Sequence, residues 1–256
     1  MSADTILTVT DLHFAVGRTR ILNGIDFSVP RGQTLGIIGP NGSGKTTLFN
    51  CISGFNVQQQ GSIVYAGQDL GGMLPHQRAR AGLGRVFQNF GVFRDMTVSE
   101  NIVTGLETRG GWWSSFLPWS KATAAHRAKA LEYLEEVGLG AKAEEKASSL
   151  SGGQMRLLEI IRTLAFGAEL FLLDEPTAGV SPKMKEEVGA LIAKLRKLQQ
   201  TVLVIEHDIN FIQRFCDRVI VLDQGRVVLD GSPEQVRADP ALEEIYFGTA
   251  ENAAQG

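Results

Sequence analysis

The sequence predicts an α/β fold with a parallel-sheet core, an N-terminal antiparallel β part and an inserted helical section. Three observations carry that expectation. Wholly apolar or nearly apolar runs recur at residues 34–38, 170–173 and 201–205, the pattern of strands buried on both faces of a sheet. Residues 154–166 and 182–199, which separate the later runs, read as helices, and such alternation indicates parallel pairing. The short stretches 6–9, 25–29 and 61–67 lie too close together for helical crossovers, so they are expected to pair antiparallel.

Composition narrows the class. At 256 residues, 43% hydrophobic and 21% charged, the chain matches a soluble globular protein with a sizeable core. The net charge of -3 and the lack of a long basic block give no reason to expect nucleic acid as a partner. Cys51 and Cys216 lie outside any CxxC pair, which suits buried thiols in a reducing compartment. The first residues have no basic region followed by an apolar segment, so no secretion signal is expected. No apolar run approaches the roughly 20 residues that a bilayer requires. The expectation is a soluble, cytoplasmic protein.

Along the chain, Pro30-Arg31-Gly32 makes a turn into the buried strand 34–38. After the loop that follows, residues 48–53 read as a helix closed by Gly54. Between about 75 and 150 the character changes to a mainly helical insertion. There Leu131, Leu134 and Val137 recur at three-residue spacing as one helical face, with Gly138 as its stop. Residues 219–222 and 226–229, joined by Asp223-Gln224-Gly225, suggest a hairpin, and 232–247 a helical tail.

The loop is the chemical centre. Gly39-Pro40-Asn41-Gly42-Ser43-Gly44-Lys45-Thr46-Thr47 joins a buried strand to a helix, the context of a nucleoside-triphosphate phosphate loop. Its glycines let backbone N–H groups turn toward phosphate oxygens where a Cβ would clash. The helix N-terminus adds positive potential. Lys45 reaches the β- and γ-phosphates, and the Thr46 hydroxyl is placed to ligand Mg²⁺. The run 170–173 ends in Asp174-Glu175. Parallel sheets bind ligands at the carboxyl ends of their strands. Asp174 is therefore expected to hold Mg²⁺, directly or through water, and Glu175 to orient and deprotonate the attacking water.

Leu150-Ser151-Gly152-Gly153-Gln154 resembles the signature sequence of the ATP-binding-cassette (ABC) ATPases. Physically it is a second anion cradle, a Ser cap and two glycines opening a helix. Gln88, in Arg85-Val86-Phe87-Gln88, resembles that family's Q-loop glutamine, which touches Mg²⁺ and the attacking water. His207 resembles its switch histidine on the γ-phosphate. The resemblance spans residues 6–248 as one cassette with a RecA-like phosphate-loop core. It divides them into a core with antiparallel β part (about 6–87 and 155–231), a helical insertion (about 88–154) and a tail (about 232–248). It implies two cassettes, identical or homologous, bound head to tail. Each ATP, with Mg²⁺, then lies between one phosphate loop and the other subunit's Ser151–Gln154 segment.

Two positions depart from the family pattern. Val16 stands where an aromatic residue usually stacks on adenine; Phe14, on the same strand face, is offered either as substitute or as core packing. Ser181 replaces an Asp, removing a charge from the loop after Glu175.

The runs 177–182, 205–208, 231–235 and 245–248, with the long stretch after Gln88, resemble ATPase subunits of branched-chain amino-acid importers and their urea-type relatives. The lipopolysaccharide-export ATPase is a close competitor. That reading implies transmembrane permease subunits, a periplasmic substrate-binding protein, and a place on the inner face of the membrane through the permease. A soluble DNA-repair or ribosomal ABC ATPase fits less well, because there is one cassette, no sustained heptad and no basic arm. A dead regulator would lack Lys45, Asp174 or Glu175, and all are present. Residues 110–119 hold all three tryptophans, Trp112, Trp113 and Trp119. They read either as a packing cluster or as an anchor for a membrane partner.

Overall fold

The computed structural model describes residues 5–88, 91–109 and 119–253. The chain opens with β1 (Thr5–Val16) and β2 (Thr19–Pro30), which pair antiparallel. β4 (Gln60–Tyr65) and β5 (Gln68–Asp69) complete a four-stranded antiparallel sheet in the order β2-β1-β4-β5. A second sheet has six strands, ordered β10-β9-β3-β8-β7-β6. β3 (Thr34–Ile38), β6 (Leu83–Val86), β7 (Leu170–Asp174), β8 (Thr201–Ile205) and β9 (Arg218–Asp223) run parallel. β10 (Arg226–Gly231) closes one edge antiparallel to β9, as the expected hairpin.

The period of two in a strand decides where the core lies. In β7, Phe171 and Leu173 face one apolar cluster while Leu170 and Leu172 face the other. β8 divides the same way, Val202 and Val204 against Leu203 and Ile205, and β9 likewise. The first cluster is closed by α5 (Gly152–Phe166), α6 (Pro182–Lys197) and α7 (Ile209–Phe215). The second is closed by α1 (Lys45–Ser53) and the antiparallel sheet. Strands buried on both faces have no polar alternation to show, which is why they read as continuous apolar runs.

Gly54 caps α1 in the left-handed region, φ 83°, as its position predicts. The buried Arg78 of α2 (Pro75–Arg80) donates to the carbonyls of Cys51 (2.7 Å) and Ile52 (2.9 Å), satisfying helix-end acceptors. Cys51 and Cys216 are buried free thiols, and burial pushes Cys51 up to about 12.

The insertion contains α3 (Val98–Arg109) and α4 (Trp119–Glu135). Here the sequence reading needs correction. Leu131 is 40% exposed; Ala130 and Leu134 form the buried face, and Val137 lies past the helix end. The buried positions follow four-residue spacing against α3 and α5, out of phase with Leu131. The four-residue β6 carries Gly84 and Arg85, which break its apolar run and hide it as a strand. The tail forms two helices, α8 (Pro233–Ala238) and α9 (Pro240–Ala253). The tryptophan-rich stretch 110–118 lies outside the described residues, as do the surroundings of the Trp119 side chain.

Candidate nucleotide site

β3 delivers the chain into the phosphate loop and α1 carries it away. Gly39 has φ 150°, and a Cβ there would lie 2.0 Å from the Leu222 carbonyl oxygen. At Gly44, with φ 106°, a Cβ would lie 2.9 Å from the Leu22 side chain of β2. These two positions admit only glycine. Gly42 has φ 83° and open space before it. The Ser43 hydroxyl is buried without a hydrogen-bond partner among the described residues. Asn41 and Thr46 are exposed; Pro40 and Thr47 are half-buried. An open glycine cradle with an unpaired buried hydroxyl and an exposed threonine suits a phosphate chain with its metal.

Lys45 is 6% exposed. Its Nζ donates to the carbonyls of Gly39 (2.7 Å) and Pro40 (2.9 Å). Burial lowers its pKa, opposed by the charges of Glu175 and Asp174. Those acids stand at the end of β7, beside the loop. Asp174 is 5% exposed, and burial raises its pKa against the pull of Arg85. The Arg85 guanidinium donates to Asp174 Oδ2 at 3.0 Å, and to Asn50 Oδ1 (2.6 Å) and Ser53 Oγ (2.8 Å) of α1. It thereby ties the metal-ligand candidate to the phosphate-loop helix.

Glu175 is a convergence point. Gln88 Nε2 donates to its Oε2 at 3.0 Å, and His207 Nε2 lies 2.9 Å from its Oε1. The three residues singled out as catalytic around Lys45 therefore meet on one carboxylate. Gln88 is held in turn by α5, where Arg156 donates to its carbonyl at 2.8 Å. Arg156 pairs with Glu159 (2.9 Å), both side chains 2% exposed.

Ser151, Gly152, Gly153 and Gln154 open α5 as a closed capping box. Ser151 Oγ accepts from the Gln154 N–H (3.3 Å), and Gln154 Oε1 from the Ser151 N–H (3.1 Å). Among the described residues no hydrogen bond joins this segment to residues 39–47. Gln154 instead borders a cavity of about 610 Å³ shared with Ser181 and Met184. Ser181 caps α6, accepting from the Met184 N–H at 3.3 Å. Phe14 is half-buried against the cluster beneath the antiparallel sheet, while Val16 is 64% exposed at the end of β1.

Sequence reasoning misses several contacts at this site. Arg85 and Arg156 carry no motif signal of their own in the sequence. Tyr246 of α9, in sequence only one letter of a tail pattern, accepts the Gly39 N–H on its hydroxyl at 3.0 Å.

Comparisons with known proteins point to one family. The profile of the ABC transporter family matches residues 22–178. The branched-chain amino acid transport ATP-binding protein BraF of Pseudomonas aeruginosa is 39% identical, over 96% of this chain and 98% of BraF. The lipopolysaccharide export ATP-binding protein LptB of Haemophilus influenzae is 33% identical, over 95% and 98%. The ADP-bound cassette MJ1267 superposes with a TM-score of 0.83 at 31% identity, covering 95% of this chain and 99% of that one. The cassette MJ0796, solved as a dimer with ADP and Pi, gives 0.76 at 26% identity, covering 89% and 99%. The chain belongs to the ABC transporter family, as an ATPase of that family.

Proposed function

We propose that this ATPase powers uptake of branched-chain or similar amino acids, or of urea-type solutes, as a peripheral subunit beneath membrane permeases on the cytoplasmic side. A periplasmic binding protein would deliver the solute. The observation that carries the catalytic part is the meeting of Gln88 and His207 on Glu175, beside Lys45 and Asp174. Glu175 acts as general base on the attacking water, Gln88 and His207 orient it, and Lys45 with the loop amides stabilises phosphoryl charge. Asp174, Thr46 and Gln88 offer oxygen ligands, the donor set that suits Mg²⁺ on a nucleotide. The ion would neutralise charge on the phosphates.

The closed capping box of Ser151 stands apart from this chain's own phosphate loop, which supports a head-to-tail pair with a second cassette, identical or homologous. Of the described helices, none is long and apolar enough to cross a membrane, so movement of solute belongs to separate permeases. The permeases would dock where the insertion, residues about 88–154, meets the core. A groove of about 310 Å³ between β6, α3 and α5, lined by Arg85, Phe93, Thr104, Arg162 and Phe166, is the docking candidate. The importer reading is favoured over export by the BraF match; the LptB match keeps lipopolysaccharide export as the second reading. Disruption of the gene followed by uptake of labelled leucine tests it. Loss of uptake, restored by the intact gene but not by Glu175→Gln, is the expected result. Normal uptake with a lipopolysaccharide-export defect would select the second reading.

A further inference from the structure

Glu206 has no part in the chemistry described so far, yet it is a carboxylate only 4% exposed. A buried carboxylate is costly unless its oxygens are bonded. Its two oxygens accept backbone N–H groups from different loops: Oε1 from Thr177 at 2.8 Å and Oε2 from His207 at 3.3 Å. The Thr177 hydroxyl side chain also favours the ionised form of Glu206. Its own N–H donates to the Ile37 carbonyl of β3, 3.4 Å away, just before the phosphate loop.

Both accepted N–H groups flank Glu175. Thr177 follows it by way of Pro176, which has no N–H to give, and His207 contacts its carboxylate. Glu175 itself has φ 47°, a left-handed conformation that a β-carbon disfavours and that persists only where the surroundings fix it. The Glu175 N–H bonds to the Ile205 carbonyl (3.0 Å) and the Ala178 N–H to the Glu175 carbonyl (3.1 Å). Of the bonds that hold the turn, those to Glu206 join the loop after Glu175 to the segment that carries His207. The nearby Lys185 is engaged with Asp208 at 2.8 Å, so Glu206 stays bound to the backbone.

We infer that Glu206 is a positioning residue for Glu175: it clamps the turn after the general base to the backbone of His207, so that base and histidine keep one geometry. This rests on Glu175 being the general base. Misplacement of a reacting group by about 1 Å costs up to about 100-fold in rate.

The test uses the full-length protein as Glu206→Gln, Thr177→Val, Glu175→Gln and the double variant Glu175→Gln/Glu206→Gln. Steady-state and single-turnover ATP hydrolysis, nucleotide binding and thermal melting are measured for each. Glu206→Gln keeps the size of the side chain but turns an N–H donor toward a donor at one loop. It should lower kcat by about 10- to 100-fold with KM and ATP affinity within about two-fold. Thr177→Val, which removes only the hydroxyl, should give a smaller loss in the same direction, and decides the matter should Glu206→Gln fail to fold. In the Glu175→Gln background the second change should cost nothing further, because its effect runs through Glu175. Normal kcat in both single variants, even with lowered melting temperature, overturns the proposal, as does a full additional loss in the double variant. If Glu175→Gln itself turns over normally, the general-base reading falls first and the clamp with it; if Glu175→Gln is inactive and the clamp variants are normal, the clamp alone falls.

Discussion

The chain carries two anion cradles of similar local chemistry, and they differ in what surrounds them. Around the phosphate loop, side chains from four strand ends converge: Lys45, Asp174, Glu175, His207 and Gln88. Buried charges secure it, Arg85 on Asp174 and Arg156 on the Gln88 carbonyl. Around Ser151 the polar groups are engaged on their own helix, and α5 packs against α6 through Gly153 and Met184. On the head-to-tail reading proposed above, one cradle would be a reaction site lacking a wall and the other would supply that wall to a second cassette. The asymmetry is what that proposal requires, since a single chain would then hold only half of each site.

The sharpest way to break that comparison is to strike each cradle separately. Glu175→Gln should lower turnover by about 100-fold or more while ATP still binds; the expected readout is an ATP-dependent dimer on a sizing column. Full turnover by that variant would remove Glu175 from its role. Ser151→Glu places a negative charge where a second molecule's γ-phosphate would come. It should cost about 100-fold in turnover and leave ATP affinity of the isolated chain within about two-fold. An equal loss of affinity would mean that Ser151 serves its own chain's loop. Hydrolysis rate should also rise more steeply than linearly with protein concentration.

Stability separates the two regions on a smaller scale. Arg85→Gln strands Asp174 as a lone buried carboxylate, both side chains being under 10% exposed, and should cost about 3–5 kcal/mol in denaturant unfolding. In the insertion, Leu134→Ala should cost about 2–5 kcal/mol, whereas Leu131→Ala, at a 40% exposed position, should stay within about 0.5 kcal/mol. Equal costs would restore the three-residue face read from the sequence.

Much of the site is legible in the sequence because its geometry demands particular residues. A loop that needs positive φ at Gly42 and Gly44 and a backbone contact at Gly39 accepts only glycine, so the fold's constraint is written in the letters. The five-residue strands β3 and β8 are legible to the residue because burial on both faces leaves no other pattern. Arg85, Glu206 and Tyr246 are not, since the meaning of a side chain lies in partners distant along the chain. Arg85 meets Asn50 across 35 positions, and Tyr246 meets Gly39 across 207. Glu206 adds a subtler case, a carboxylate whose partners are backbone N–H groups that no side-chain pattern records. In α4, apolar residues on adjacent faces give two phases, and only packing against α3 and α5 chooses between them.

The smallest expected effect concerns the base rather than the phosphates. Val16 offers no ring, and Phe14 is drawn into the cluster under the antiparallel sheet, where its area contributes to folding. An aromatic side chain stacked on a base contributes about 1–3 kcal/mol, so a stacking Phe14 would lose at least about five-fold in ATP affinity on truncation. We expect Phe14→Ala to lower the melting temperature and leave ATP affinity within about two-fold. Val16→Tyr, at the exposed end of β1, should then tighten ATP more than it stabilises the fold. A loss of affinity in Phe14→Ala without a stability change would reverse the assignment. It would mean that the ring leaves its packing site to meet the base, and that the edge of the first cradle is built only when nucleotide arrives.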